Sequence, residues 1–140
     1  MIIFDIDNTC SPVKKPTDDV PGEWRNLFGF DTFVPSHILD FLRGRDDIAL
    51  LSSWDEESAA FAEAFGFKAE VILTKDHSED EGVYGKFAAV LAKRPVAWVD
   101  DQITSFMDGV LSQMGITTIA PKDGYVTEEE LRTLTETLKG

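Results

Sequence analysis

Short apolar runs alternate with amphipathic segments along this chain, and the alternation predicts its elements. The first run extends from Met1 to Ile6, is rich in β-branched residues and is followed by polar turn residues, as is typical of a buried strand. Four further apolar runs have the same character, and no hairpin dipeptide flanks them. They cover residues 48–51, 69–73, 96–99 and 116–119.

The segments between these runs carry apolar residues at helical spacing together with helix-boundary residues. Ser36 can cap a helix that continues to about residue 45, and Ser53 or Asp55 can cap one that Gly66 ends. Further helices are predicted over residues 84–93, over residues 103–114, and from a capping box of Thr127 and Glu130 to the C-terminus. Because strand and helix alternate and right-handed crossovers make successive strands parallel, the predicted fold is α/β. We expect a three-layer α/β/α Rossmann-like domain with a five-stranded parallel sheet.

Length and composition agree with one globular unit. A chain of 140 residues with 43% hydrophobic and 11% aromatic content can fill one core, so a single domain over residues 1–140 is expected. No apolar run approaches the roughly 20 residues that cross a bilayer, and the N-terminus lacks a signal-peptide pattern. These features predict a cytoplasmic protein without membrane contact. Cys10, His37 and His77 form no zinc-type set.

The formal net charge of −13 argues against an extended nucleic-acid groove, because phosphate backbones reward clustered lysine and arginine. A small phosphorylated substrate or a single nucleic-acid end stays compatible with this charge, since a bound divalent cation reverses the local field.

The interval from about residue 10 to residue 34 is predicted to be irregular. It holds several prolines and an aromatic group that includes Trp24, which makes it too apolar for a disordered linker. A loop of this length in a small domain is often functional, and we interpret it as a flap over the strand ends. A structural loop without substrate contact is the alternative. Trp24 is a better candidate than Trp54 for covering a substrate, and core packing is the alternative for both.

Acidic pairs follow two of the predicted strands. Asp5 and Asp7 come at the end of the first strand, and Asp100 and Asp101 follow the fourth. Ligands of open parallel sheets bind at the carboxyl ends of the strands, where these four side chains would meet. Carboxylates in a half-buried crevice repel each other unless a cation lies between them. Magnesium is the expected ion, because the site offers oxygen ligands and neither histidine nor thiolate.

The other two strand ends add polar groups of a different kind. Ser52 follows the second strand, where its hydroxyl can bond a phosphoryl oxygen or serve as a helix cap. Lys86 opens the helix after the third strand, and Gly82 and Gly85 before it permit a close turn toward the crevice. Carboxylates, a hydroxyl and a lysine at one edge of the sheet indicate a site for phosphate and a divalent cation.

With Asp5, Asp7 and Thr9, then Ser52, then Lys86, then Asp100 and Asp101, the chain resembles the haloacid dehalogenase superfamily of phosphotransferases across its four motifs. Within it, Leu51-Ser52-Ser53-Trp54 and the segment 94–101 are similar to a capless subgroup, the haloacid dehalogenase domain of Swiss Army Knife RNA repair proteins. Two strings depart from these patterns, Asn8-Thr9 and Thr9-Cys10-Ser11-Pro12. Asparagine tolerates left-handed backbone torsions, so Asn8 is compatible with the turn that the first motif requires. The second departure weakens the link with RNA repair, which we do not carry over.

The resemblance implies a division of roles at the strand ends. Asp5 would be the nucleophile that forms an aspartyl phosphate, and Asp7 the general acid and base. Both would also ligate magnesium, Asp7 through its backbone carbonyl. Asp101 is the expected direct third ligand, and Asp100 would ligate through water or orient Lys86. We expect the phosphoryl oxygens to be bound by the side chains of Ser52 and Lys86 and by the backbone N–H groups of Asp7, Asn8 and Thr9.

The segment between Ser52 and Lys86 is too short for a separate cap domain. An open site implies a bulky or macromolecular substrate such as a nucleic-acid end, a nucleotide or a phosphoprotein, unless a partner supplies a lid. The sequence therefore predicts a magnesium-dependent phosphomonoesterase. The alternatives are a non-catalytic metal- or phosphate-binding module that acts through a partner, and phosphotransfer to an acceptor other than water. The oligomeric state is open.

Overall fold

The computed structural model of the protein describes residues 1–14, 16, 19–80 and 82–139. Its strands are β1 (Ile2–Phe4), β2 (Gly22–Leu27), β3 (Phe30–Pro35), β4 (Ile48–Leu50), β5 (Glu70–Val71), β6 (Ala97–Val99) and β7 (Thr117–Ile119). Its α-helices are α1 (Ser36–Arg43), α2 (Ser58–Phe65), α3 (Val83–Lys93), α4 (Ser105–Gln113) and α5 (Glu128–Leu138), and short 3₁₀ turns cover Asp55–Glu57 and Thr74–Asp76.

Five strands form one parallel sheet in the order β5-β4-β1-β6-β7. The chain moves outward from β1 through β4 to β5 and then crosses back to β6, so the strand order reverses between β1 and β6. Such a reversal leaves a crevice outside the carboxyl ends of the two strands. The predicted parallel sheet is confirmed. Each of its strands is one to three residues shorter than the apolar run that predicted it.

Helices cover both faces of the sheet and give three layers. Ile2 and Phe4 of β1 point to a core shared with α1, α2 and α5, whereas Ile3 between them points to a second core shared with α3 and α4. All three side chains are fully buried. Alternation of side chains along a strand, combined with burial on both faces, explains why β1 appears as a continuous apolar run. The three-layer α/β/α prediction is confirmed.

Helix boundaries were predicted with mixed success. Gly66 ends α2 with a left-handed φ of 73°, and the capping box of Thr127 and Glu130 is present at α5. Ser36 does not cap α1, because it is the first helical residue and Pro35 precedes it without a side-chain cap. Neither Ser53 nor Asp55 caps α2, since the chain enters that helix through a 3₁₀ turn. In the described part of the chain, no helix has the length and apolar character to cross a membrane.

The prediction of an irregular segment from residue 10 to residue 34 is wrong for its second half. Strands β2 and β3 pair there as an antiparallel hairpin, from Gly22 against Pro35 to Leu27 against Phe30. The connecting residues Phe28 and Gly29 both have positive φ, 55° and 85°, as two-residue hairpin turns require. Phenylalanine rarely adopts such torsions, so Phe28-Gly29 carries little of the usual turn signal. In the first half, residues 15, 17 and 18 lie outside the described residues.

Candidate active site

Asp5 lies directly after β1, at the centre of the crevice. Its backbone N–H donates to the carbonyl of Val99 on β6 at 2.9 Å, so the end of β1 is fixed against the neighbouring strand. The residue is only 4% exposed. The chain then turns sharply, because three consecutive N–H groups, from residue 9 to residue 11, donate to the carbonyl of Ile6, and Asn8 takes a left-handed φ of 58°. This turn directs the backbone away from the sheet and leaves the Asp5 carboxylate in the crevice.

Lys86 reaches this carboxylate from the first turn of α3. Its Nζ donates to Asp5 Oδ1 at 3.1 Å and to Asp100 Oδ2 at 3.0 Å, with 6% of the lysine side chain exposed. The predicted close turn before Lys86 is present, since a Cβ atom at Gly85 would collide with the Asp80 carbonyl oxygen and with Thr74 Cγ2. Glycine therefore lets α3 approach closely enough for Lys86 to bridge the two carboxylates.

The β6 end contributes two aspartates in different environments. Asp100 is fully buried, and both of its oxygens are engaged, Oδ2 by Lys86 and Oδ1 by the N–H of Gln102 at 2.9 Å. Asp101 is half-buried, and no hydrogen bond to its carboxylate occurs within the described ranges. Asp100 thus positions Lys86 in this structure, and Asp101 keeps its oxygens for a ligand.

Thr9 joins the two strand ends. Its hydroxyl donates to Asp5 Oδ2 at 3.4 Å and accepts the N–H of Asp101 at 3.2 Å. The backbone N–H groups of Asn8 and Thr9, which we expected to bind phosphate, donate instead to the carbonyls of Ser11 and Ile6. Of the three predicted N–H donors, only that of Asp7 has no acceptor among the residues that the structure describes. Asn8 and Thr9 therefore shape the turn, and Asp7 keeps a donor for a ligand.

Three carboxylates form a cluster that can hold a metal ion. Asp5, Asp100 and Asp101 each place one oxygen within 4.8 Å of the others. The geometry fits a cation with oxygen ligands, because three negative groups share a crevice with one lysine. Asp7 is not a member of this cluster. Its Oδ1 instead accepts the indole N–H of Trp54 at 3.2 Å.

Burial and charge shift the pKa values of the central groups. Burial, reinforced by the charge of Asp100, raises the pKa of Asp5 to about 7 although Lys86 opposes the shift. Burial also raises the pKa of Asp100 above its usual value. For Lys86 burial favours the neutral amine, but the two carboxylates outweigh it and raise its pKa. The crevice holds more negative charge than its lysine neutralises, which is the condition in which a bound cation stabilises a site.

Ser52 lies beside this cluster on the β4 side. The preceding residue, Leu51, donates its N–H to the carbonyl of Phe4 and continues the register opposite Asp5, so Ser52 lies one residue beyond Asp5 along the sheet. The Ser52 side chain is buried, and its Oγ accepts the N–H of Trp54 at 3.2 Å. No acceptor for its hydroxyl hydrogen is present within the described part of the chain. Ser52 thus stabilises the turn after β4 without capping a helix, and its hydroxyl keeps a donor for a ligand.

Trp54 is the residue at the site whose importance the sequence underrated. Its indole contacts Asp7, and its ring packs edge-on against Phe61 with centroids 5.5 Å apart. Trp24, the favoured candidate for covering a substrate, packs against Phe33 with centroids 4.9 Å apart. The string Ser52-Ser53-Trp54 was visible in the sequence, but only the turn after β4 shows that Trp54 points back toward Asp7. Trp98 is fully buried in the second core.

Cys10 follows the turn and is also fully buried. Burial, together with the charge of Asp5, raises the pKa of its thiol well above the usual value. The thiol is therefore protonated at neutral pH and does not act as a nucleophile or a metal ligand.

Comparisons with protein-family models, with curated proteins and with solved structures each return no match to this chain. The hypothesis of a haloacid dehalogenase relationship therefore rests on the motif residues and on their placement at the strand ends.

Proposed function

We propose that this protein is a magnesium-dependent phosphohydrolase of the haloacid dehalogenase type that acts through an aspartyl phosphate on Asp5. One observation carries the proposal. Asp5 is buried at the reversal of strand order, bonded to Lys86 and clustered with the carboxylates of Asp100 and Asp101, and a second aspartate follows two residues later. A buried carboxylate with this surplus of negative neighbours is costly for a purely structural turn, and it suits a site that binds a cation and a phosphoryl group.

Asp5 and Asp101 would hold the magnesium ion, with the backbone carbonyl of Asp7 as a further oxygen ligand. Bound there, the ion neutralises the carboxylates and the phosphoryl oxygens. Asp100 would contribute to the field of the site mainly by holding Lys86, because both of its oxygens are already hydrogen-bonded.

The chain's own residues account for the proton and bond changes. One oxygen of ionised Asp5 forms a bond to phosphorus as the bond between phosphorus and the leaving oxygen breaks, and Asp7 gives that oxygen a proton. Water then attacks the aspartyl phosphate, and Asp7 takes up one water proton as phosphate leaves. Since Trp54 fixes Oδ1 of Asp7, Oδ2 is the atom that exchanges the proton.

Charge that develops on the phosphoryl oxygens needs preset donors. The Ser52 hydroxyl, the backbone N–H of Asp7 and the Lys86 ammonium are the donors that the crevice offers. Lys86 is held by both neighbouring carboxylates, so its position is fixed before substrate arrives. This preorganisation supports a catalytic role over loose phosphate binding.

The proposal predicts magnesium-dependent release of phosphate from a generic aryl phosphate by the purified protein. Replacement Asp5→Asn should reduce turnover by at least about a thousandfold, because the amide is not a nucleophile. Asp46→Asn is the matched control, since this exposed aspartate precedes β4 at the opposite edge of the sheet. Intact-mass measurement during turnover should detect one added phosphoryl group on the wild-type protein and none on Asp5→Asn.

A lack of turnover on a broad phosphate panel, with or without Asp5, would overturn the proposal. The alternative is a non-catalytic module that binds a metal ion or phosphate and acts through a partner, and the same cluster at Asp5, Asp100 and Asp101 would serve it. Magnesium-dependent partner binding that survives Asp5→Asn would favour that alternative.

A further inference from the structure

A groove of about 400 Å³ opens beside Asp7, between the tip of the β2–β3 hairpin and the turn after β4. Its walls include Phe28 and Phe30 of the hairpin and Trp54 of the turn. Because a general acid must touch the leaving oxygen, the leaving group of a substrate extends from Asp7. The groove that contains Asp7 is therefore the place where the leaving group lies.

A second groove of about 600 Å³ lies on the other side of the site and is lined by Lys75 and Lys86. Asp7 does not line it. Three acidic residues line it together with the two lysines. Because the general acid lies outside this groove, it is unsuited to the leaving group in the proposed reaction.

The walls of the groove beside Asp7 are aromatic. Phe28 is 56% exposed and Phe30 is 75% exposed, and because both line one groove they form an apolar patch of the kind that marks a ligand-binding surface. Phe28 meets Trp54 edge-on with ring centroids 6.3 Å apart. Trp54 is held in place from behind by Phe61 and by its hydrogen bond to Asp7. A flat ring entering the groove would pack against the exposed phenylalanine rings of the hairpin, with the Trp54 indole beside it.

The charges along the groove are negative. Asp31 and Glu57 line it together with Asp7, and no lysine, arginine or histidine does so among the described residues. A leaving group with a phosphate or carboxylate of its own would be repelled, whereas a neutral or cationic group would be accepted.

We propose that the substrate is a phosphomonoester with a neutral or cationic aromatic leaving group, which packs against the hairpin phenylalanines in the groove that Trp54 also lines. This inference rests on the proposed function, since it assigns Asp7 as the acid. It narrows the substrate to molecules whose only anionic group near the site is the phosphoryl group that is transferred. Nucleic-acid ends, which carry further phosphates beside the leaving oxygen, are disfavoured.

Binding of non-hydrolysable probes tests the groove without requiring turnover. Benzylphosphonate, ethylphosphonate and para-carboxybenzylphosphonate are titrated into the magnesium-loaded protein, and the indole N–H resonances of the three tryptophans are followed by NMR. We expect benzylphosphonate to bind about tenfold more tightly than the other two and to shift the Trp54 resonance, assigned with Trp54→Phe. Equal affinities for all three probes, or an unmoved Trp54 signal, would overturn the inference.

Turnover of the matching esters provides the second arm. Benzyl, para-aminomethylbenzyl, para-carboxybenzyl and ethyl phosphate all leave through a primary alcohol, so their kcat/KM values compare the groups beyond the leaving oxygen. We expect the aminomethylbenzyl and benzyl esters to exceed the carboxybenzyl and ethyl esters by about tenfold. If probes bind at Trp54 but no ester is hydrolysed, the proposed function fails and the groove assignment stands. If all four esters are hydrolysed at equal rates, the proposed function stands and the groove assignment fails.

Matched variants locate the effect. Phe30→Ala should reduce the ratio of benzyl to ethyl turnover toward one, while Phe106→Ala, which removes a comparably exposed ring from α4, should leave that ratio unchanged. Glu57→Gln should increase the relative use of carboxybenzyl phosphate, and the neighbouring exposed Glu56→Gln should not. Identical ratios in Phe30→Ala and the wild type would contradict stacking on the hairpin.

Discussion

Two clusters of three charged groups within the described part of the chain are opposite in composition and setting. At the strand ends, Lys86 lies between two carboxylates, with side chains no more than 6% exposed. On the hairpin, Glu23 lies between Arg25 and Arg43, with side chains 34 to 40% exposed. The first cluster carries surplus negative charge and the second surplus positive charge.

The two settings shift the pKa values of their acidic groups in opposite directions. Burial dominates at Asp5 and raises its pKa to about 7, although a lysine is within hydrogen-bonding distance. At Glu23 the hydrogen bond from Arg43 dominates and lowers the pKa to about 2. An ion pair near water stabilises its acid, whereas the buried pair leaves its acid poised between two protonation states.

The clusters also serve different ends. Arg43 of α1 and Arg25 of β2 donate to backbone carbonyls near the end of α2, at Phe65 and Ala64, as well as to Glu23. The exposed cluster thus fastens the hairpin to the helices beneath it. The buried cluster joins Asp5 after β1, Lys86 of α3 and Asp100 after β6 at the carboxyl ends of the strands. A buried ion pair of this kind is often no more stabilising than packed apolar side chains.

The largest expected difference concerns loss of the central cation. Lys86→Met leaves Asp5 and Asp100 buried without a counter-ion, which should reduce the free energy of unfolding by about 3 to 5 kcal/mol at about pH 8 in chelator. Lys75→Met is the matched control, because Lys75 pairs with Glu56 on the surface, where both side chains are about 70% exposed. Urea unfolding of both variants measures the effect. Equal losses would show that burial does not distinguish the two pairs.

Next in size is the effect of removing the buried negative charge. The pKa of Asp5 is raised from 3.8 to about 7 in the folded protein. The folded state is therefore destabilised as the pH rises from 3.8 to about 7, because Asp5 must then ionise in a buried site. In chelator, Asp5→Asn should therefore be more stable than the wild type by up to about 4 kcal/mol above about pH 7. The difference should vanish as the pH falls toward 3.8.

Magnesium should make the wild type more stable than Asp5→Asn, because the ion binds the ionised carboxylate of the wild type more tightly than the amide of the variant. Thermal unfolding with and without magnesium, across the same pH range, measures both effects. An unfolding temperature of the wild type that does not change with magnesium would contradict a metal site at Asp5 and Asp101.

The buried site lies on elements that the sequence predicted well. Strands β1, β4 and β6 are covered on both faces, so they stand out as continuous apolar runs, and the polar residue that follows each run marks its carboxyl end. Parallel strands bring those ends together whatever the details of packing. The meeting of Asp5 and Asp100 was therefore predictable. The contact of Lys86 with both depends on the packing of α3, and its choice of Asp100 over Asp101 depends on the turn after β6.

The exposed cluster lies on elements that the sequence did not reveal. Strand β2 faces solvent on one side and carries charged residues on the other, and the turn at Phe28 and Gly29 lacks the usual residue pair. Arg25 lies two residues from Glu23 on β2, whereas Arg43 reaches the same glutamate only because α1 packs against β2. Trp54 was missed for the same reason, since its contact with Asp7 depends on long-range packing.

The smallest expected effect belongs to the exposed cluster. The pKa of Glu23 is lowered from 4.5 to about 2, so its contribution to stability is present above 4.5 and is lost as the pH falls toward about 2. Glu23→Gln should therefore be less stable than the wild type at neutral pH and equal to it near the lower limit, the opposite of Asp5→Asn. Because the cluster is exposed, about 1 M salt should shrink the Glu23→Gln difference, while the Lys86→Met difference should persist. If salt reduced both stability differences by the same fraction, the buried cluster would be as accessible to water as the exposed one. The burial that raises the pKa of Asp5 would then be contradicted.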